Sequence, residues 1–253
     1  MINAKGQIAQ YSLFVLASLL LTMPVMAQQQ SRCADCHFSN PDSPEPYHLV
    51  SWERSAHGRN LVGCENCHGG DATTFESFRA HQNILASRDP ASPAHRRNIP
   101  RTCGTCHSGP FVEFQKSQHF ELLQEGHQDT PVCTTCHGNV AAQLLSPKGL
   151  ASQCARCHGA DTEAPRPEYA VQGKQLLGGI LEVRALLDEV RPLIKRVKDE
   201  ARRERFQYAY DQAQVPLTEA TVAGHAFVFT TLEERLDTAR RRAETLLEEV
   251  VNP

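Results

Sequence analysis

The chain has 253 residues, a length that allows one or two domains. Its formal net charge is −3 at pH 7, which gives no case for the basic surface that a nucleic-acid-binding protein needs. Aromatic residues make up 6% of the chain and hydrophobic residues 40%, a modest supply of side chains for a packed core of this size.

Residues 1–27 have the pattern of a cleaved secretory signal peptide. Lys5 carries the charge, an almost wholly apolar run covers residues 11–23, and residues 25–27 offer small side chains around a cleavage point. The apolar run is short for a bilayer span, and an uncleaved N-terminal anchor is the alternative. We therefore expect an exported protein in a bacterial periplasm.

A Cys-x-x-Cys-His pattern occurs five times and uses all ten cysteines. Two cysteines at this spacing can form thioether bonds to both vinyl groups of one haem, and the adjacent His can take the proximal position on the iron. Numbered motif 1 to motif 5 in chain order, the cysteine pairs are Cys33 and Cys36, Cys64 and Cys67, Cys103 and Cys106, Cys133 and Cys136, and Cys154 and Cys157. The histidines expected as proximal ligands are His37, His68, His107, His137 and His158.

Three other uses of cysteine explain less of the pattern. Disulfide bonds suit a secreted chain with an even number of cysteines, but they do not explain a His after every second Cys. Structural zinc uses paired Cys-x-x-Cys sites, and five half-sites do not pair evenly. A thioredoxin-like site needs a βαβ unit, which surrounds none of the motifs. The sequence therefore predicts five covalently bound haem c groups.

These haems would form the core of residues 28–165. Gly and Pro are frequent there, so we expect short helices and loops packed around haem. Close motifs hold haems at short range, and a continuous chain of haems is our hypothesis for this region.

The supply of axial ligands restricts the haems further. All three methionines lie within the predicted signal, so the mature chain has no donor for His/Met ligation, which raises haem potential. Since every Cys is assigned to a thioether, the sixth ligand must be His, a weaker group or nothing. We therefore expect low-potential haems. Seven histidines remain for the distal positions, although a surface His is the alternative for each: His48, His57, His81, His95, His119, His127 and His225.

Several segments of residues 33–160 resemble the multihaem c-type cytochromes, which include periplasmic electron carriers and nitrite- and hydroxylamine-converting enzymes. The similar segments are Ser55-Ala56-His57-Gly58, the glycine-flanked motif 2, Ala80-His81-Gln82-Asn83-Ile84, Asn98-Ile99-Pro100-Arg101-Thr102 ahead of motif 3, and Ser117-Gln118-His119 ahead of motif 4. In that family the His of a Ser-x-His segment and the His before an Ile-rich turn often serve as distal ligands. The resemblance therefore implies distal roles for His57, His81 and His119.

The chain also departs from the family pattern. Such proteins often place a further His shortly after the motif that corresponds to motif 4, where this chain has Asn139 and Val140. A late His beyond the last motif is also frequent in the family, and it implies His225 as a fourth distal ligand. The fifth position stays open between His48, His95, His127 and no ligand.

The composition changes after residue 165, where Leu, Glu and Arg become dominant. Apolar residues recur at steps of three and four over residues 176–201 and again over 222–250, as in amphipathic helices. Pro192 should kink the first helix, and we place a break at residues 214–216 with Thr218 as the next N-cap. Residues 166–253 are therefore predicted as a long antiparallel helical hairpin in a mainly α protein.

His225 occupies a seam position of the second apolar stripe. A satisfied core His is the usual explanation for such a residue, but a haem ligand here would tie the hairpin to the haem region. A homodimer formed through the same stripes is the alternative use of the hairpin.

These observations predict a periplasmic pentahaem electron carrier with mostly bis-His haems. The resemblance implies redox proteins as partners, with a quinol-oxidising membrane cytochrome as donor and a terminal reductase as acceptor. The alternative is an oxidoreductase that converts a small nitrogen compound at a haem without a distal His. No motif ends in Lys, a mark of many pentahaem nitrite reductases, and the chain is short for those enzymes.

Overall fold

The computed structural model describes residues 31–40, 46–138, 140, 145–163 and 165–252. Within these ranges the chain forms helices, turns and loops and contains no strand, which confirms the mainly α prediction. None of the helices in the described ranges is both long and apolar enough to span a membrane. The predicted signal, residues 1–27, lies outside the described residues.

Among the described residues, ten short helices form the region that contains the five motifs. In chain order they are α1 (Arg32–Ser39), α2 (Pro46–Arg54), α3 (Ala56–Arg59), α4 (Glu65–His68), α5 (Ser77–Ala80), α6 (Ile99–Gly104), α7 (Ser108–Phe114), α8 (Gln118–Glu125), α9 (Cys133–His137) and α10 (Pro147–His158). Serine residues begin three of these helices, because the Oγ atoms of Ser55, Ser117 and Ser146 accept backbone N–H groups three residues ahead. Gly126 ends α8 at φ 97°, in the left-handed region that favours glycine.

Three long helices follow, namely α11 (Pro167–Arg196), α12 (Glu200–Ala223) and α13 (Phe229–Val251), and each packs on the other two. Their shared core includes Leu187, Val190, Phe206 and Leu246, each at most 2% exposed. Fully buried alanines at positions such as Ala239 let the helix axes approach closely. The apolar stripes thus bury one another within a single chain.

The predicted hairpin is therefore a three-helix unit, and the predicted break at residues 214–216 is wrong. Pro216 lies inside α12 and is buried, and Thr218 is an interior residue of that helix rather than an N-cap. Packing of this segment in the core outweighs the helix-breaking tendency of proline. One break follows Arg196, where Asp199 caps α12 by accepting the Arg202 N–H at 2.7 Å, and a second follows Ala223.

The three-helix unit contacts the motif-bearing helices at two places. Helix α10, which ends in motif 5, packs along α11, and α7 packs against α12 and the 3₁₀ turn Gly224–Ala226. Gly109 of α7 lies so near Val222 that an added Cβ would come within 3.4 Å of its side chain. His225 belongs to this turn rather than to a helix seam, so it faces α7 and the motifs.

Candidate haem-binding sites

Each of the five motif histidines faces the imidazole of a second histidine. The distances between ring centroids are 5.9 Å for His37 and His81, 6.1 Å for His68 and His48, 6.0 Å for His107 and His57, 6.3 Å for His137 and His225, and 6.1 Å for His158 and His119. An iron held by two imidazole nitrogens at about 2 Å each leaves the ring centres roughly 6 Å apart. The residues present therefore fit bis-His ligation of haem at every motif.

Chance packing of aromatic rings does not explain this arrangement. Imidazole pairs can pack at such distances without a metal, but every pair here joins one motif His to one His outside the motifs. The members of most pairs are far apart in sequence, as with His57 and His107 or His137 and His225. A repeated pairing of this kind is what a common metal ligation would produce.

The structure places four predicted distal histidines opposite motif histidines and brings a fifth, His48, to motif 2. The other two candidates lie elsewhere. His127 is 60% exposed and lies 3.6 Å from the Glu125 carboxylate, and the Nδ1 of His95 accepts the Arg97 N–H at 3.3 Å. Of the three candidates left open by the sequence, His48 has the geometry of a ligand.

The position of His48 depends on contacts that the local sequence does not reveal. It lies on α2, and Trp52 of the same helix donates its indole N–H to the Val62 carbonyl at 2.8 Å. That bond ties α2 to the loop that enters motif 2, and so brings His48 to His68. The nearest sequence signal is the single Trp of the chain four residues after His48.

The Ser-x-His segments place two of the histidines that face the motifs by helix capping. Ser55 and Ser117 are buried N-caps, and their Oγ atoms accept the N–H groups of Gly58 and Phe120, both at 3.1 Å. His57 and His119 are therefore the second residues of their helices, where the cap fixes the backbone that carries the ring. The spacing that resembles the family thus has a local structural cause.

Backbone carbonyls orient three of the imidazole rings that face the motif histidines. The Nδ1 atom lies 3.0 Å from the Val140 oxygen in His57, 2.8 Å from the Ser77 oxygen in His81, and 3.0 Å from the Val222 oxygen in His225. An Nδ1–H that donates to such an oxygen leaves Nε2 unprotonated and able to bind a metal. Val140, where the resemblance would place a His, thus contributes its carbonyl to the histidine that faces motif 3.

His119 differs from these three rings. Its Nδ1 is buried and has no hydrogen-bond partner. The ring is held instead by Phe227, whose centroid lies 4.8 Å away at an interplanar angle of 79°. Phe227 has a φ of 57°, in the left-handed region that bulky residues rarely adopt.

The surroundings of the histidines keep them in the metal-binding form. Burial lowers the pKa of His119, His225 and His68, and a neighbouring imidazole lowers each pKa further. Since the neutral ring is the one that binds a metal, these shifts prepare the ligands.

Comparison with known proteins decides the class. Residues 91–159 match the family described as cytochrome c7 and related cytochrome c, and residues 16–69 match cytochrome c554 and c-prime. The C-type polyheme cytochrome OmcC of Geobacter sulfurreducens is 25% identical over 127 residues, which are 50% of this chain and 14% of that protein. No solved structure matches the chain.

These matches support a multihaem c-type cytochrome. Cytochrome c families bind haem c covalently, and multihaem cytochromes generally exchange electrons with redox partners. Cytochromes of this class are typically extracytoplasmic.

Motif 1 of the cytochrome lies against motif 2. The Ser31 hydroxyl donates to the Glu65 carboxylate at 2.9 Å, so residues that flank Cys33 and Cys64 are in direct contact. Next to Ser31, the Arg32 N–H donates to the Ala72 carbonyl at 3.1 Å. These bonds hold the start of α1 to the segment around α4.

The later motifs follow in the same order. The side chain of Cys67 lies near that of Cys103, which places motif 2 beside motif 3. The Cys103 and Cys133 side chains are also close, in agreement with the packing of α6 on α9. Cys136 in turn lies near Cys154. Successive motifs are therefore spatial neighbours along the chain.

A cleft of about 510 Å³ lies beside motif 4 of the cytochrome, and both Arg96 and Arg156 line it together with Thr134 and Thr135. Guanidinium groups bind carboxylates through paired N–H donors. These two arginines are therefore suited to bind the propionates of a haem c at motif 4.

Proposed function

We propose that the protein is a periplasmic pentahaem electron carrier whose five haems are all bis-His ligated. The five imidazole pairs are the observation that supports this most strongly, because they supply two ligands for every motif. His37, His68, His107, His137 and His158 are the proposed proximal ligands, and His81, His48, His57, His225 and His119 are their distal partners in the same order. Haem c supplies one-electron redox chemistry when bound.

The chain's own residues hold and orient these groups in series. The contacts between successive motifs support a relay in the order motif 1 to motif 5, with each haem beside the next. Each end of such a relay offers a place for a redox partner. The proposed donor is a quinol-oxidising membrane cytochrome and the proposed acceptor a terminal reductase, both from the family resemblance alone.

Low reduction potentials follow from the proposed ligands. Two imidazoles stabilise the oxidised iron more than a His/Met pair does, and no methionine lies beyond residue 26. Removal of residues 1–27 during export would leave a chain without methionine, and so without a donor for His/Met ligation. The oxidoreductase alternative requires an open iron, and each motif His here has an imidazole opposite it.

A haem count with an EPR spectrum of the oxidised protein tests the proposal. The pyridine haemochrome assay should give five haems, and all of them should be low-spin. His48→Ala should convert one haem to high spin, because motif 2 then loses its distal ligand. The matched control is His127→Ala, which removes an exposed His and should leave the spectrum unchanged. A high-spin signal near one equivalent in the unmodified protein would contradict the carrier and support the oxidoreductase.

A further inference from the structure

The distal ligands of motifs 4 and 5 are neighbours with different hydrogen bonding. His225, opposite the motif 4 His, has a carbonyl 3.0 Å from its Nδ1. His119, opposite the motif 5 His, has a buried Nδ1 without an acceptor. Both residues are half-buried, so burial alone does not distinguish them.

This difference acts directly on the iron. An Nδ1–H that donates to a carbonyl makes the imidazole more basic and stabilises the oxidised metal, which lowers the reduction potential. A ring without such an acceptor remains the weaker donor. All else being similar, its haem is reduced more easily.

Phe227 keeps the Nδ1 atom of His119 without a hydrogen-bond acceptor. Its ring packs edge-to-face on the imidazole at 4.8 Å and follows His225 by two residues, in the turn that also supplies the motif 4 ligand. An apolar ring fixes the orientation of His119 without offering an oxygen to Nδ1. The left-handed backbone at Phe227, φ 57°, is an unfavourable conformation that brings the aromatic ring to this place.

We propose that Phe227 is a positioning residue for His119 and that, as a result, the haem of motif 5 has a higher reduction potential than the haem of motif 4. The last step of the relay is then downhill for an electron that travels toward motif 5. The haem of motif 5 would then hold the electron until it passes to the acceptor. This inference rests on the ligand assignment of the proposed function.

Two ligand variants assign the potentials. His119→Ala should make the motif 5 haem high-spin and remove its component from a low-spin redox titration, and His225→Ala should do the same for motif 4. The component lost in His119→Ala should titrate at the higher potential. The reverse order would overturn the inference while leaving the carrier intact. If neither variant gave a high-spin haem, the ligand assignment itself would fail.

Two variants of Phe227 test the cause. Phe227→Gly relieves the backbone conformation and lets water reach Nδ1, so the motif 5 component should shift to lower potential. Phe227→Leu keeps Nδ1 dry but loses the ring contact, so the potential should hold while the low-spin EPR g values of that haem shift. The control is Phe120→Leu, which alters a ring packed on Phe111 and Phe114 and should change neither. Equal potentials in the Gly variant and the unmodified protein would overturn the role of Phe227.

Discussion

At the scale of single residues, the proposed ligands owe their positions to short polar contacts with neighbouring residues. The Nδ1 atoms of His57, His81 and His225 lie beside backbone oxygens, so the ring orientation is fixed before any metal binds. His48 is held less directly, through the bond from the Trp52 indole to Val62. The residues that set the site thus extend beyond the ten proposed ligands.

Trp52→Phe should weaken the ligation of motif 2. The substitution keeps an aromatic ring but removes the indole donor and leaves the Val62 carbonyl without it, at a cost of about 1–3 kcal/mol. We expect lower stability to denaturant and a partial high-spin signal from one haem, because α2 no longer holds His48 firmly. Glu53→Gln, an exposed change on the same helix, is the control. A fully low-spin spectrum at unchanged stability would show that the indole bond does not position His48.

At the scale of elements, the starts of helices can be predicted from local sequence patterns. The N-cap serines and the histidines two residues later are local patterns, and they place His57 and His119 at the second positions of their helices. His48 has no comparable pattern, since its pairing depends on where a whole helix packs. The break predicted at Pro216 is wrong for the same reason. The effect of this proline depends on its burial against other helices rather than on its intrinsic helix propensity.

Ser117→Ala should destabilise α8 and loosen the ligand of motif 5. The buried hydroxyl accepts the Phe120 N–H at 3.1 Å and donates to the Phe114 carbonyl at 2.6 Å. Losing an N-cap costs about 1 kcal/mol, and the low-spin signal of the haem at His119 should broaden. Ser152→Ala on α10 removes an exposed hydroxyl within a helix and is the matched control. Identical stabilities and spectra for the two variants would argue against capping as the cause.

At the scale of the whole molecule, the three-helix unit and the motif region depend on one another. The composition change at residue 166 predicts where the long helices begin, but their number and packing follow from long-range contacts that no local pattern records. Through His225 and Phe227 the unit reaches the histidine pairs of motifs 4 and 5. Ligation at those motifs should therefore stabilise the unit, since binding to the folded state alone adds to its stability.

Leu187→Ala tests this coupling. Leu187 is 2% exposed in the core of the three helices, and its truncation should cost about 2–5 kcal/mol. Denaturant titrations followed by far-UV circular dichroism and by the low-spin optical bands should show both signals shifting together for the haem at His225. Val171→Ala, on the same helix but 55% exposed, should leave both transitions in place. If the haems all remained low-spin after the long helices had unfolded, His225 could not be a ligand, because melting α12 and α13 removes the turn that carries it.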